Sequence, residues 1–512
     1  MEAESGTTNG YLNAFRQSMV VAGVALALFV VGLDMTIVAI AIPKITDTFG
    51  GIDLVGWYGT AFFISVACFQ PFWGKAYQYF PLKYTFMSAV FVFEIGSLIA
   101  GVSPSSTVLI VGRALTGIGA AGIATGGYAI MSVVIRPDKR PIFTGLVTTI
   151  YSIANFVGPI LGGLFAEHFT WRWCFYISLP VGGASAVIIF VFFRRSEAVR
   201  PKETAPIKDK LSQLDSVGTT LALASLIFFA RALQIAGISQ SWSSTQVIVL
   251  LIAFAVSISA FVLSQIYLDD RAMMVKTLLK SRAIIAGMLF GFFLEGAFYT
   301  LLYALPIYFQ VVQDVSATEA GIRVLPFLIS CGIGSFAAGM IVSRTGHYMP
   351  LVLWASSGGC VGTGLLHMLG DNPSSASYIV YQILAGLAYG TGLPLAIIIG
   401  QAGCSAEDIP AATAMLLFTF CFGSSLALAA AQSILDNVLI HVLRGDNRVD
   451  ARAVIKAGAG NFRSAFPPDV VPTIVDAYLS GMRGVYVMII ALAGVATLAT
   501  MVYKWEKLNN SK

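Results

Sequence analysis

Four ionisable side chains sit where water is scarce: Asp34, Glu94, Arg113 and Glu295 each interrupt a long apolar run. A charge at the middle of a lipid-facing helix costs roughly 2.5–3.5 kcal/mol on insertion scales, so each is expected to face a partner, water or the interior of a bundle. The chemistry open to them is ion pairing and proton binding. Asp34 falls about 17 residues along its run and Arg113 about 7 residues into a run of opposite direction, which at 1.5 Å per residue puts both in the outer half of the membrane. They can meet there in two ways: as a direct or water-bridged ion pair on a path, weakened when Asp34 takes a proton, or as a permanent structural clamp. Glu94 and Glu295 fall about 12 residues along their runs, near the midplane, where a desolvated carboxyl is a candidate proton carrier; for Glu94 simple packing is an equal reading.

Other chemistries find no support in the spacing. Six cysteines are scattered through apolar segments without a CxxC pair, and the four histidines have no second ligand three or four residues away, so neither a disulfide framework nor a metal site is expected. There is no GxxxxGK[ST] loop, no GxSxG elbow and no HExxH. An enzyme is therefore not expected, no cofactor is implied, and any work done must draw on a gradient.

The elements that position these charges are membrane helices. Hydrophobic residues make up 57% and charged residues 11% of the 512, and the mean hydropathy is +0.81, outside the balance of a soluble chain. Runs of about 20 apolar residues begin near positions 17, 55, 84, 106, 142, 173, 215, 245, 283, 320, 349, 377, 410 and 482, about fourteen spans in all. With the N-terminus cytoplasmic, the inner loops collect Arg16, Lys75, Lys83, Arg136, Arg194, Lys208, Arg271, Arg282, Arg344 and Lys504, whereas the short outer loops hold almost only Lys44 and Arg172. Both termini are then cytoplasmic, and the net charge of +5 belongs to the membrane surface rather than to nucleic acid. The polar start has no basic region or cleavage site, so no signal peptide is expected. The expected organisation is a tail at 1–16, a six-helix bundle at 17–193, a cytoplasmic linker at 194–214, two inserted spans at 215–268, a second linker at 269–282, a second bundle at 283–503 with an extracellular loop at 439–481, and a tail at 504–512.

Two further patterns bear on movement. Gly74 and Lys75, followed by Lys83, come after the second span, and Gly339, Arg344 and Gly346 come at the equivalent place after the tenth, a weak repeat of an inner-loop gate. Ala154, Gly158 and Gly162 recur at i, i+4 and i+8, a smooth face on which another helix can approach closely, while Pro159 removes a backbone donor and invites a kink.

These residues resemble the fourteen-span drug:proton antiporter family of the major facilitator superfamily. Leu33-Asp34-Met35-Thr36 is similar to its span-1 motif, Arg113-Ala114-Leu115-Thr116-Gly117 to its span-4 motif, and Gly145, Ala154, Gly158, Pro159, Gly162 and Gly163 to its span-5 antiporter motif. Trp171-Arg172-Trp173, Leu305-Pro306-Ile307 and Gly321-Ile322-Arg323 resemble the fungal toxin and multidrug efflux branch. Departures occur where Gln78 and Pro81-Leu82 replace an Asp and a Gly-Arg pair in the first inner loop, where Thr116 replaces a Gln, and where Ala39 replaces an Asn. The resemblance implies an all-α polytopic membrane protein of the major facilitator fold, two six-helix bundles plus two inserted spans, exporting small organic molecules in exchange for protons by alternating access. It further implies a monomer in the plasma membrane, with the vacuolar membrane as the other site. Read from their own positions, the proton-coupling candidates are Asp34, Arg113, Glu295 and Glu94, of which the resemblance associates Arg113 with proton transfer, and the pocket candidates between the halves are Phe298, Tyr299, Tyr303, Tyr308 and Gln310. A proton-coupled importer, such as one for siderophores, is the alternative on the same fold, and a non-transporting sensor is the alternative of another class.

Overall fold

The computed structural model describes residues 13–49, 55–193, 213–268, 271–370, 373–402, 404–405, 407–444, 448–503, 505 and 507. The linker expected at 194–214 and both terminal tails fall almost entirely outside these residues. Fourteen long helices carry the described chain: α1 (Ala14–Phe49), α2 (Val55–Tyr79), α3 (Leu82–Val102), α4 (Ser106–Val134), α5 (Arg140–His168), α6 (Ser178–Phe192), α7 (Ser216–Ile235), α8 (Thr245–Tyr267), α9 (Arg282–Val312), α10 (Leu325–Thr345), α11 (Met349–His367), α12 (Ser375–Ala402), α13 (Ile409–Leu443) and α14 (Val471–Ala499). Hydrocarbon leaves no partner for an open backbone, and along its interior the helix satisfies each N–H and C=O within itself. Thirteen helical segments among the described residues are long and apolar enough to cross a membrane; α2, with 25 residues, is long enough but carries Gln70, Lys75, Gln78 and several ring hydroxyls.

Helix ends follow their local chemistry. Ser105 accepts from the Val108 N–H at the start of α4 and Ser244 from the Val247 N–H at the start of α8, each satisfying an otherwise orphaned donor. Gly346 closes α10 at φ 70°, a left-handed turn that glycine adopts without strain. The Asp215 carboxylate caps α7 through the Gly218 N–H at 2.8 Å and also accepts from Gln265 Nε2 and the Met273 N–H, both at 2.9 Å. That one buried side chain ties the start of α7, the end of α8 and the approach to α9 together.

The segment expected as an extracellular loop at 439–481 is largely helical. Helix α13 runs to Leu443, a separate helix spans Ala451–Ala465, and α14 already begins at Val471. The intervening helix is strongly amphipathic and buries Val454 and Phe462 in the second bundle. Arg463 pins it there, with its guanidinium 2.8 Å from Asp314 and donating to the Val311 carbonyl at 2.9 Å. Lys44, expected in an outer loop, lies inside α1.

Hydrophobic residues fill each bundle, one region within α1–α6, made of two clusters, and one within α9–α14. A third joins α2, α7, α8 and α13, so the inserted hairpin lies against a seam between the two bundles. Across the seams α2 packs on α13 and α5 on α10. The second helix of each bundle thus meets the fifth of the other, which is the exchange a two-fold relation between the halves produces.

Candidate functional site

Asp34 of α1 and Arg113 of α4 come together. Arg113 Nη1 donates to Asp34 Oδ2 at 2.5 Å, Nη2 to the Asp34 carbonyl at 3.3 Å and Nε to the Tyr58 carbonyl at 3.0 Å. Both side chains are shut off from solvent, at 1% and 2% exposure, and the guanidinium carbon stands 4.4 Å over the Phe62 ring. Paired charge, backbone acceptors and an aromatic face are what a buried guanidinium needs to be tolerated. The other carboxylate oxygen, Asp34 Oδ1, has no hydrogen-bond partner among the described residues. The site therefore has a spare acceptor on its acid.

The small face of α5 lies against this same stretch of α1. A Cβ at Gly158 would run into the Thr36 hydroxyl, and one at Gly162 would stand 2.5 Å from the Ile37 carbonyl; Gly32 faces Ala154 in the reverse sense. The spacing of Ala154, Gly158 and Gly162 thus has the Gly32–Ile37 stretch of α1, which brackets Asp34, as its partner. Gly163 is buried nearby, and Pro159 lies in the unbroken run of α5, its side chain outside the described residues. Gly145 points elsewhere: a Cβ there would stand 2.6 Å from the Ser335 carbonyl of α10.

At the end of the bundle that carries the basic loops the two halves are in backbone contact. Gly339 has no room for a Cβ beneath the Pro141 carbonyl, the Ser343 hydroxyl donates to the Asp138 carbonyl at 2.6 Å, and Thr149 donates to the Gly332 carbonyl at 3.0 Å. On the other seam Gly74 abuts Ala414, and Gln78 Nε2 donates to the Glu407 carbonyl at 3.3 Å. Lys75 is buried beside that contact, whereas Arg344 is exposed in the last turn of α10. Lys83 is not brought to the seam: its ammonium bonds the Phe190 carbonyl at 2.5 Å and sits 4.7 Å over the Phe190 ring, capping α6 within its own half. The void lined by Tyr128, Met131, Arg140, Thr144 and Gln401 at this end has a volume of about 10 Å³, room for about one water.

Of the pocket candidates, Phe298 and Tyr308 are core. Phe298 is stacked on Phe327 at 5.7 Å, and the Tyr308 hydroxyl donates to the Gly370 carbonyl at 2.7 Å. Tyr299 and Tyr303 instead cross between the halves, meeting Phe63 of α2 edge-on at 6.5 and 6.3 Å. Gln310 is half-buried near the end of α9. Glu295 is half-buried although it lies at the middle of α9, and it is within electrostatic reach of Tyr128 on α4, Tyr151 on α5, Cys331 on α10 and Cys421 on α13. The carboxyl therefore faces the axis between the bundles. Uncharged residues missing from the sequence reading complete this centre: Thr125 donates to Gln70 at 2.5 Å, and Tyr151 donates to Met35 Sδ at 3.0 Å, beside Asp34. Among the described residues no three His, Cys, Asp or Glu side chains are grouped to hold a metal.

With that geometry in view, comparison with known proteins is informative. The profile of the Major Facilitator Superfamily matches residues 24–428. The chain is 39% identical over 99% of its length to the MFS-type transporter grgE of a Penicillium species, covering 90% of that protein. It is 35% identical over its whole length to the MFS-type efflux pump MFS1 of Trichophyton rubrum, covering 95% of it. Among solved structures, the proton:xylose symporter XylE superposes with a TM-score of 0.62 at 10% identity, over 95% of each chain, a likeness of fold alone.

Proposed function

The chain belongs to the Major Facilitator Superfamily, a membrane transporter and not an enzyme, and we propose that it is a proton-driven exporter of small organic molecules. The observation that carries this reading is the buried Asp34–Arg113 pair with its spare carboxylate oxygen, seated against the small face of α5. A proton arriving from outside binds the free oxygen of Asp34 and removes the charge that holds Arg113. The guanidinium then keeps only its carbonyl acceptors, α1 and α4 relax relative to each other, and α5 follows α1. Since α5 also forms the seam with α10, loading and unloading the proton bias which end of the bundle is open.

Substrate binds between the halves, among Phe63, Tyr128, Tyr151, Glu295, Tyr299 and Tyr303. Such walls suit a flat, amphipathic organic molecule: a toxin, a secondary metabolite or a drug. The end rich in Lys and Arg is cytoplasmic, both termini lie on that side, and the membrane is the plasma membrane, where export protects the cell. That the similar Trichophyton protein is named an efflux pump supports the outward direction.

The test is efflux of fluorescent dyes, azoles and fungal metabolites from cells expressing the wild-type chain or Asp34→Asn at equal surface level. Loss of efflux on collapsing the gradient and in the variant is expected. Accumulation in place of efflux overturns the exporter reading in favour of an importer. Gradient-sensitive efflux that Asp34→Asn leaves untouched overturns the mechanism.

A further inference from the structure

Glu94 takes no part in the cycle just described, yet its surroundings are built around a carboxyl. It is central in the 21 residues of α3. Its neighbours in sequence turn to α4, where a Cβ at Gly119 would stand 2.5 Å from the Phe93 Cα, and one at Gly96 would stand 2.6 Å from the Thr116 hydroxyl. The Glu94 side chain goes sideways to α6 instead. There Gly182 leaves the notch that the carboxyl fills, since a Cβ at 182 would coincide with Glu94 Oε1.

Both carboxyl oxygens are closed to solvent and have no hydrogen-bond partner among the described residues, as is also true of the Ser97 hydroxyl one turn on. The Ser178 hydroxyl, one turn before Gly182 and beside the carboxyl, is committed to the Phe175 carbonyl at 2.7 Å. Among the ionisable groups of the neighbouring helices, Asp34 of α1 lies within electrostatic reach of the Glu94 carboxyl, and Asp34 is in turn paired with Arg113 of α4 and within reach of Cys174 in the turn before α6. Asp34 and Glu94 are within electrostatic reach of each other. Three carboxylate oxygens thus remain unpartnered between them, Asp34 Oδ1 and both of Glu94, against one guanidinium. Two carboxylates and one guanidinium in hydrocarbon leave an uncompensated charge, unless one carboxyl keeps a proton.

We infer that Glu94, seated in the Gly182 notch, is a second proton-binding site of the N-terminal half, coupled to Asp34 so that the two share one proton and load as a unit. Glu94 is then a positioning residue for charge, because its own ionisation sets how readily Asp34 accepts a proton. The inference rests on the proton-driven reading.

The experiment is infrared difference spectroscopy of the purified full chain in lipid, following the carbonyl stretch of protonated carboxyls against pH. The proteins are the wild type, Glu94→Gln, Glu94→Asp, Asp34→Asn and Gly182→Ala. Glu94→Gln keeps the shape of the side chain and removes its proton. It is expected to delete one step of the wild-type titration and to move the Asp34 step about one unit toward acid, because a neighbouring negative charge is gone. Asp34→Asn moves the Glu94 step the same way. Glu94→Asp retains a step, while Gly182→Ala, which pushes the carboxyl out of its notch, alters that step without touching either residue. A Glu94→Gln spectrum identical to wild type overturns the site, and loss of one step with the other unmoved overturns the coupling. Gradient-insensitive efflux by the wild type sinks the proton-driven reading on its own, whatever the spectra show.

Discussion

Replacing both members of the buried pair by apolar residues separates a clamp from a coupling pair. In Arg113→Met alone, the carboxylate loses its partner, and breaking a buried pair from one side costs about 3–5 kcal/mol. The Asp34 and Tyr58 carbonyls lose their donors as well, although a helical carbonyl already bonded in its ladder loses little. If the six-helix half melts as one unit of about 180 residues, where 1 kcal/mol shifts Tm by about 2–4 °C, the single variant should melt about 10 °C lower in detergent. Adding Asp34→Leu removes the orphaned charge, and apolar replacement of a buried pair is often neutral. The double variant should recover most of the lost stability. A clamp does nothing but hold, so on that reading efflux returns together with the Tm. On the coupling reading the double variant folds, reaches the surface and does not move substrate against a gradient. Scanning calorimetry or a thermal-shift assay, paired with efflux from cells at matched surface expression, decides between them. Restored gradient-driven efflux in the double variant would refute the assignment of Asp34 as a coupling residue.

Further expectations follow from particular contacts. Gly158→Val and Gly162→Val place side chains against the Thr36 hydroxyl and the Ile37 carbonyl; overpacking of about 1–3 kcal/mol should slow efflux at constant surface expression, measured by dye release, while Leu164→Ala on the exposed face of the same helix leaves it unchanged. Glu295→Gln, at a half-buried side chain facing both halves, should change stability by under about 1 kcal/mol, read by thermal shift, yet reduce export of cationic dyes more than of neutral ones; equal loss for both classes would remove Glu295 from substrate contact. Outside the spans, burial and then the nearby Asp408 charge push the Cys404 thiol up to about 11. Its thiolate is scarce at neutral pH, so maleimide labelling of Cys404, read by mass spectrometry, should be slow near pH 7 and accelerate only as pH rises toward that value.

The spans were legible because hydrocarbon imposes length and apolarity together, and the four charges stood out for the same reason. The segment after α13 was not, since Ala451–Ala465 averages to a polar stretch although one of its faces is apolar, and a window reading measures the mean rather than the face. Small-residue spacing on α5 announced a close helix approach without naming α1 as the partner. Lys83 looked like part of a gate from its loop, but a long side chain at a helix start reaches the carbonyls of whichever helix ends beside it, here α6. Gln70, Thr125, Tyr128 and Tyr151 carry no charge and break no period, so nothing in one sequence marks them until the helices bring them to the axis.

Position along α5 explains how a charge pair within one half can act on the other. Its Ala154–Gly162 face is locked to α1 beside Asp34, and its Gly145 and Thr149 face the backbone of α10. Gly145 and Gly158 are 13 residues apart along one continuous helix, about 20 Å. A helix transmits displacement along its length because its hydrogen-bond ladder resists local compression, and close-packed glycine contacts leave no soft side chain to absorb it. On the proposed mechanism, a shift of α1 on protonation therefore has few places to go other than the α5–α10 seam, where the halves touch through the Pro141 and Gly332 carbonyls. By the same two-fold logic α13 is the corresponding lever of the second half, packed on α2 at Gly74. Among the described residues it carries no charge pair like that of α1 and α4, so on the proposed mechanism the drive enters through the first half and the second follows. On that mechanism, proton control placed on one bundle, with a seam of small residues to the other, makes the opening of the two ends exclusive.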